Sequence, residues 1–183
     1  MNQLICTALS VLLLFCNQLN ASEKNKIIEN LKKINSLQFN FTQLSNEGEE
    51  NGSCILIYPK KIRCIYDKQK KEIIINDDYL YFINKEENKN YNYSTKDTPF
   101  GVILDKESLI EKLSNIKKFN ITNNFIIAAV EISSTESIDI YFEPKNFIIL
   151  GWRMKNYDKS TLEFIMKNIK VNVNSDEKFQ IPN

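Results

Sequence analysis

The chain has 183 residues, with 24 Lys and Arg against 23 Asp and Glu, four Cys, four Gly and no His. A net charge of +1 offers no surplus of cations for phosphates, so nucleic acid is not an expected partner. Without His, imidazole triads, His proton relays and imidazole-ligated zinc are excluded, and four Gly leave little for a phosphate-cradling loop. The composition favours a neutral, β-rich binding protein over an enzyme, with neither metal nor cofactor.

Residues 1–21 contain no charged side chain, and the run from Leu4 to Cys16 is apolar apart from Thr7 and Ser10. As a helix this run spans ~20 Å, short of the ~30 Å hydrocarbon core of a bilayer. A short apolar stretch, a polar flank and the small residue Ala21 read as a secretory signal peptide. Residues 22–183 then form one mature domain. The alternative is a lipid-modified Cys16 that tethers the chain to a membrane, with Phe15 standing where a small residue is wanted.

Removal of the signal leaves Cys54 and Cys64. Residues 51–58, the turn at Pro59-Lys60-Lys61 and Ile62 to Tyr66 read as a hairpin. A turn centred on Pro59 sets the two cysteines opposite each other on one face; a shift of one residue separates them. A disulfide in an oxidising compartment and a pair of small, half-buried thiols both fit.

Residues 23–36 place Ile27, Ile28, Leu31 and Ile34 on one helical face, with Ser22 as N-cap. Leu37, Phe39 and Phe41 then alternate with Gln38, Asn40 and Thr42 as a strand, and Gly48 and Gly52 bracket the next turn. Further strand-like runs follow at Cys54 to Tyr58, Arg63 to Asp67, Glu72 to Asn76, Tyr79 to Asn84 and Tyr91 to Thr95. At Thr98-Pro99 the pattern becomes helical, through Phe100 to Leu104 and then Lys106 to Asn115. Strands resume at Phe119 to Thr122, Phe125 to Ile132, Ile138 to Phe142, Phe147 to Met154 and Leu162 to about Val173. Ile148, Leu150, Trp152 and Met154 share one face of the penultimate strand.

About eleven short antiparallel strands with one greasy face must curl or split. About 30 residues of helix are available as cover, and a sheet of this size is too wide to fill itself from its own strands. A half-covered apolar hollow and a packed β-sandwich are both consistent with the pattern. The carboxylate pairs Asp77-Asp78 and Glu86-Glu87 and the basic turn Lys68 to Lys71 read as solvated loops. A secreted hydrolase with a Lys-activated Ser would need a buried Ser–Lys pair, for which no motif is present. Arg63 is unusual: within an apolar strand it requires carbonyl or carboxylate partners, unless it lies on the outer face.

Several stretches in order resemble the outer-membrane lipoprotein carrier protein family (LolA-like). They are Phe41-Thr-Gln43, Gly52 through Pro59 to Arg63-Cys-Ile-Tyr66, Glu72 through Tyr81, Thr98-Pro99, Ile138 through Pro144 to Trp152, and Phe179-Gln-Ile-Pro182. Cys64 replaces the family's usual Trp, and the Gly that often follows the final Pro is absent.

The resemblance implies a mainly β (α+β) fold, an unclosed antiparallel β-barrel of about eleven strands with an N-terminal helix and a helical lid over an apolar cavity. It implies a monomeric, non-enzymatic carrier in the periplasm of a Gram-negative bacterium. Such a carrier takes acylated lipoproteins from an inner-membrane ABC transporter to an outer-membrane acceptor. A membrane-anchored acceptor of the same fold, lipidated at Cys16, is the alternative. On this reading the lipid-binding wall comprises Phe39, Phe41, Ile140, Phe142, Leu150, Trp152 and Phe164. Phe100, Ile103 and Leu104 belong to the lid, against which Ile27, Leu31 and Ile34 of the first helix pack, and the family's matching arginine makes Arg63 a latch on lid carbonyls.

Overall fold

The period-two alternation of the sequence becomes a single eleven-stranded sheet, antiparallel at every junction. The computed structural model describes residues 22–68, 70–96, 98–132, 136–155, 160–174 and residue 179. The expected signal segment with Cys16, and all of the C-terminal Phe179–Pro182 motif except Phe179, lie outside these residues.

Helix α1 covers residues 22–33. Strands β1 (Ser36–Ser45), β2 (Gly48–Ile57), β3 (Lys61–Tyr66), β4 (Lys71–Asn76), β5 (Tyr79–Asn84) and β6 (Lys89–Ser94) then form a meander. Helices α2 (Pro99–Ile103) and α3 (Lys106–Asn115) follow. A second meander holds β7 (Asn120–Ile121), β8 (Ile126–Glu131), β9 (Ser137–Phe142), β10 (Ile149–Lys155) and β11 (Thr161–Val171). The order across the sheet is β6-β5-β4-β3-β2-β1-β11-β10-β9-β8-β7. The two meanders therefore join in the middle, where β1 pairs with both β2 and β11. β6 and β7 are the unmatched edges, and α2 and α3 are the chain that links one edge to the other.

Side-chain parity decides what this sheet encloses. Leu37, Phe39 and Phe41 on β1, Leu56 on β2, Ile62 and Tyr66 on β3, Ile138, Ile140 and Phe142 on β9, and Phe164 and Met166 on β11 form one buried cluster. Ile27, Leu31 and Ile34 join it from α1 and the residue that follows it. Helix α2 starts as the Thr98-Pro99 pair predicts: the Thr98 hydroxyl accepts from the Gly101 amide at 3.3 Å, and Pro99 occupies the first turn. Asp105 caps α3 in the same way, accepting from the Ser108 amide at 3.0 Å.

Of the two readings left open for the cysteines, the disulfide is the one found. Cys54 and Cys64 are direct partners across β2 and β3, their Cα atoms lie 4.1 Å apart, and both are buried. Closing so short a loop restricts the unfolded chain by an amount worth about 2–3 kcal/mol on the chain-entropy view.

Gly52 departs from expectation. It lies inside β2 and directly opposite Phe41, not in the turn. A Cβ there would stand 2.2 Å from the Ile65 carbonyl oxygen and 2.6 Å from the Phe41 ring, so the missing side chain is the space the ring occupies. Gly52→Ala is expected to lower the unfolding free energy by about 1–3 kcal/mol in urea denaturation. An unchanged midpoint would show that the ring has room to move.

Candidate functional site beneath the helical cover

A column of aromatic rings crosses the interior from β3 to the lid. Tyr66 meets Phe41 edge-on at 5.0 Å between ring centroids, and Phe41 stacks on Phe164 at 4.7 Å. Phe164 stacks on Trp152 at 4.3 Å with 10° between the planes, and Phe39 approaches Phe164 edge-on. Trp152 then receives the edge of Phe100 from α2 at 5.7 Å. Each such pair adds about 0.5–1.5 kcal/mol beyond the area it buries. Phe100 of α2 is thus the last member of a stack that begins in the sheet.

Under α2 lies a void of about 10 Å³, walled by Leu56, Tyr58 and Ile62 on one side and Phe100, Ile103 and Leu104 on the other, with Trp152 and Met166 behind. That is space for one water molecule at most. Among the described residues, the interior beneath α2 is therefore filled by its own side chains, where a hollow was expected. The Tyr58 hydroxyl is buried without a hydrogen-bond partner, and burial pushes its pKa well above the usual phenol range.

Polar contacts hold the cover at its ends. The Lys60 amide donates to the Leu104 carbonyl at 3.0 Å, and the Lys60 ammonium lies 3.6 Å from Asp105 and 2.9 Å from Asp78. The Lys106 ammonium donates to the Ile34 carbonyl at 3.0 Å. At the far end of α3, Lys24 donates to the carbonyls of Ser114 and Ile116 at 3.0 and 3.1 Å, where the helix dipole favours a cation. Lys112 reaches the Glu131 carbonyl of β8 at 2.9 Å.

The structure gathers Phe39, Phe41, Ile140, Phe142, Trp152 and Phe164 in the interior, with Phe100, Ile103 and Leu104 above them. Two residues fall elsewhere. A bulge between Ile149 and Gly151, with Gly151 at φ +146°, breaks the alternation of β10. Ile149 takes the inward position opposite Phe142, and Leu150 is turned off it. Arg63 has the opposite parity to the inward Ile62 and Cys64, so it sits on the outer face of β3, across the sheet from α2. Its Nε donates to Glu72, whose carboxylate also pairs with Lys85 at 2.9 Å. Arg63 thus has a carboxylate partner on the outer face of the sheet.

Leu56 and Ile62 were legible as wall residues, since they flank Pro59 at the parity of the cysteines. Tyr58 shares that parity and was legible in the same way; the clamping Lys60, Lys106 and Lys24 carried no such signal, because lysines in turns and helices ordinarily face water.

Burial would raise the Glu72 carboxyl, but hydrogen bonds from Arg63 and Lys85 hold it below its ordinary value of 4.5. A depressed folded pKa supplies stability that is complete above the unfolded pKa and lost as pH falls through the folded one. Chemical denaturation from pH 6 to pH 2 is expected to show stability falling below about pH 4.5, with a shallower fall in Glu72→Gln. Identical slopes in the two proteins would show that this pair does not set the acid limit.

No curated protein matches the sequence. Among solved structures, an uncharacterised conserved protein from Thermus thermophilus superposes with a TM-score of 0.53 at 6% identity, covering 85% of this chain and 89% of that one. A putative outer membrane lipoprotein-sorting protein domain from Vibrio parahaemolyticus gives 0.48 at 9% identity, covering 88% of this chain and 95% of its own. The Pseudomonas aeruginosa MucA/MucB complex gives 0.48 at 11% identity; the match covers 89% of this chain and only 61% of the other. At these identities the likeness concerns fold alone. The family profile described as "Outer membrane lipoprotein carrier protein LolA" matches residues 32–182, which takes in every strand of the sheet and both lid helices. The chain belongs to the LolA family of outer membrane lipoprotein carrier proteins.

Proposed function

We propose that this chain is a periplasmic carrier that shelters the acyl chains of lipoproteins between an inner-membrane ABC transporter and an outer-membrane acceptor. The observation that carries the reading is the covered interior: aromatic and aliphatic walls beneath two short helices that polar contacts hold at their ends. Phe39, Phe41, Ile140, Phe142, Trp152 and Phe164 would meet the acyl chains once Phe100, Ile103 and Leu104 lift away. The disulfide fits residence in an oxidising compartment, and so supports export directed by residues 1–21. Among the described residues, no helix is long and apolar enough to cross a membrane.

Energies make the cycle workable. Each CH₂ kept from water is worth ~0.8 kcal/mol, so one long acyl chain contributes on the order of 10 kcal/mol. The polar clamp consists of partly exposed hydrogen bonds of about 0.5–1.5 kcal/mol each and one aromatic contact. Lifting the cover also uncovers Val102, Ile103, Leu104, Leu109 and Leu113, so a bound chain must bury comparable apolar area against the same surfaces to hold the open form. In a bilayer the same CH₂ groups are already out of water, so transfer between membrane and carrier is close to balanced. The partners at each membrane then set its direction.

Size-exclusion chromatography with a diacylated lipoprotein, and with the same protein stripped of its acyl chains, tests the reading. Co-elution of the acylated form alone is expected, and Trp152→Ala should weaken it. Equal co-elution of both forms, or of neither, would contradict the proposal.

A further inference from the structure

Tyr58 carries a polar atom with nothing to bind in an apolar place. It follows β2 immediately before the exposed Pro59, is itself only 9% exposed, and shares the wall of the void with Phe100, Ile103 and Leu104 of the cover. Its hydroxyl is buried and unpartnered. The surface of the void is wholly apolar, so a water there would find no side-chain partner, short of the two to four that hold a buried water. An orphaned hydroxyl opposes folding, and a phenyl ring would fill the same space without that penalty. The closed structure therefore gives no use for the oxygen.

Its position supplies one. Tyr58 marks the boundary between the greasy interior and the polar rim. Leu56 and Ile62 lie on the inner side; on the other, the Lys106 ammonium stands 5.3 Å from the ring centroid while bonded to the Ile34 carbonyl. Lys60, two residues on, ties the same turn to the α2–α3 junction. A hydrocarbon chain laid beneath the lifted cover would bring its polar end to this boundary. Building on the carrier reading above, we propose that the Tyr58 hydroxyl donates a hydrogen bond to the carbonyl oxygen of the ester or amide that attaches an acyl chain. The site thereby favours acylated cargo over bare hydrocarbon. The raised pKa keeps the phenol protonated, and so a donor, throughout the physiological range.

The test compares wild type with Tyr58→Phe, using a synthetic lipopeptide bearing two ester-linked palmitoyl chains and its dialkyl ether analogue. Wild type is expected to bind the ester roughly 3- to 10-fold more tightly than the ether, the size of one ordinary hydrogen bond. Tyr58→Phe should bind both alike, keep the wild-type affinity for the ether, and melt no lower than wild type. With a ¹³C-labelled ester carbonyl, the bound infrared stretch should lie at lower frequency in wild type than in the variant. A variant that retains the ester preference, or gives the same carbonyl frequency, overturns the inference. Binding of both probes to wild type without preference overturns it while leaving the carrier reading standing; binding of neither overturns both.

Discussion

An open sheet with one apolar face cannot be left uncovered in water, and this chain meets that constraint through its connectivity. Because β1 pairs with both β2 and β11, the two meanders grow outward from the middle and end at β6 and β7. The segment between those edges has to cross the mouth of the curved sheet. Placing Phe100, Val102, Ile103, Leu104, Leu109 and Leu113 on that segment makes the crossing a cover. The aromatic column from Tyr66 to Phe100 then joins wall and cover through side chains, without a strand ladder between them. None of the sheet's ladders runs through the cover.

The distribution of polar contacts has the same consequence. The bonds that fix α2 and α3 are made by Lys24, Lys60, Lys106 and Lys112, mostly to main-chain carbonyls. Several are partly exposed, so water replaces them at little cost when they part. The sheet beneath is built more firmly, with long ladders between β1, β2 and β11 and the Cys54–Cys64 disulfide. The wall is held by strand ladders and a covalent cross-link, the cover by side-chain packing and these polar tethers. Arg63, Glu72 and Lys85 belong to the rigid part, since their ion pairs brace the outer surface of β3 and β4.

Much of this was legible in the sequence because alternation and capping are local signals. Leu37, Phe39 and Phe41 share a face at any plausible register, Thr98-Pro99 marks the start of α2, and the reading of Lys106 to Asn115 as a helix matches α3. A turn centred on Pro59 was one of two registers open for the cysteines, and it is the one found. What escaped depends on contacts distant in sequence. Leu150 reads as inward until the bulge at Gly151 shifts the count by one. Gly52 reads as a turn residue until the Phe41 ring is seen to need its space. Arg63 sits at a family position, but parity and Glu72 place it outside. The clamping lysines are invisible to pattern, since their partners are carbonyls scattered over α1, α2, α3 and β8.

The central claim is that the interior becomes a binding site when α2 and α3 move off a sheet that stays intact. Residue-resolved hydrogen exchange, with and without a diacylated lipopeptide, examines it most directly. The account predicts faster exchange at the Lys60 amide, whose bond to the Leu104 carbonyl joins the β2–β3 turn to the end of α2, with no change along β1 and β11. Bound lipopeptide with the Lys60 amide as protected as before, or with the β1–β11 ladder opened, would contradict it.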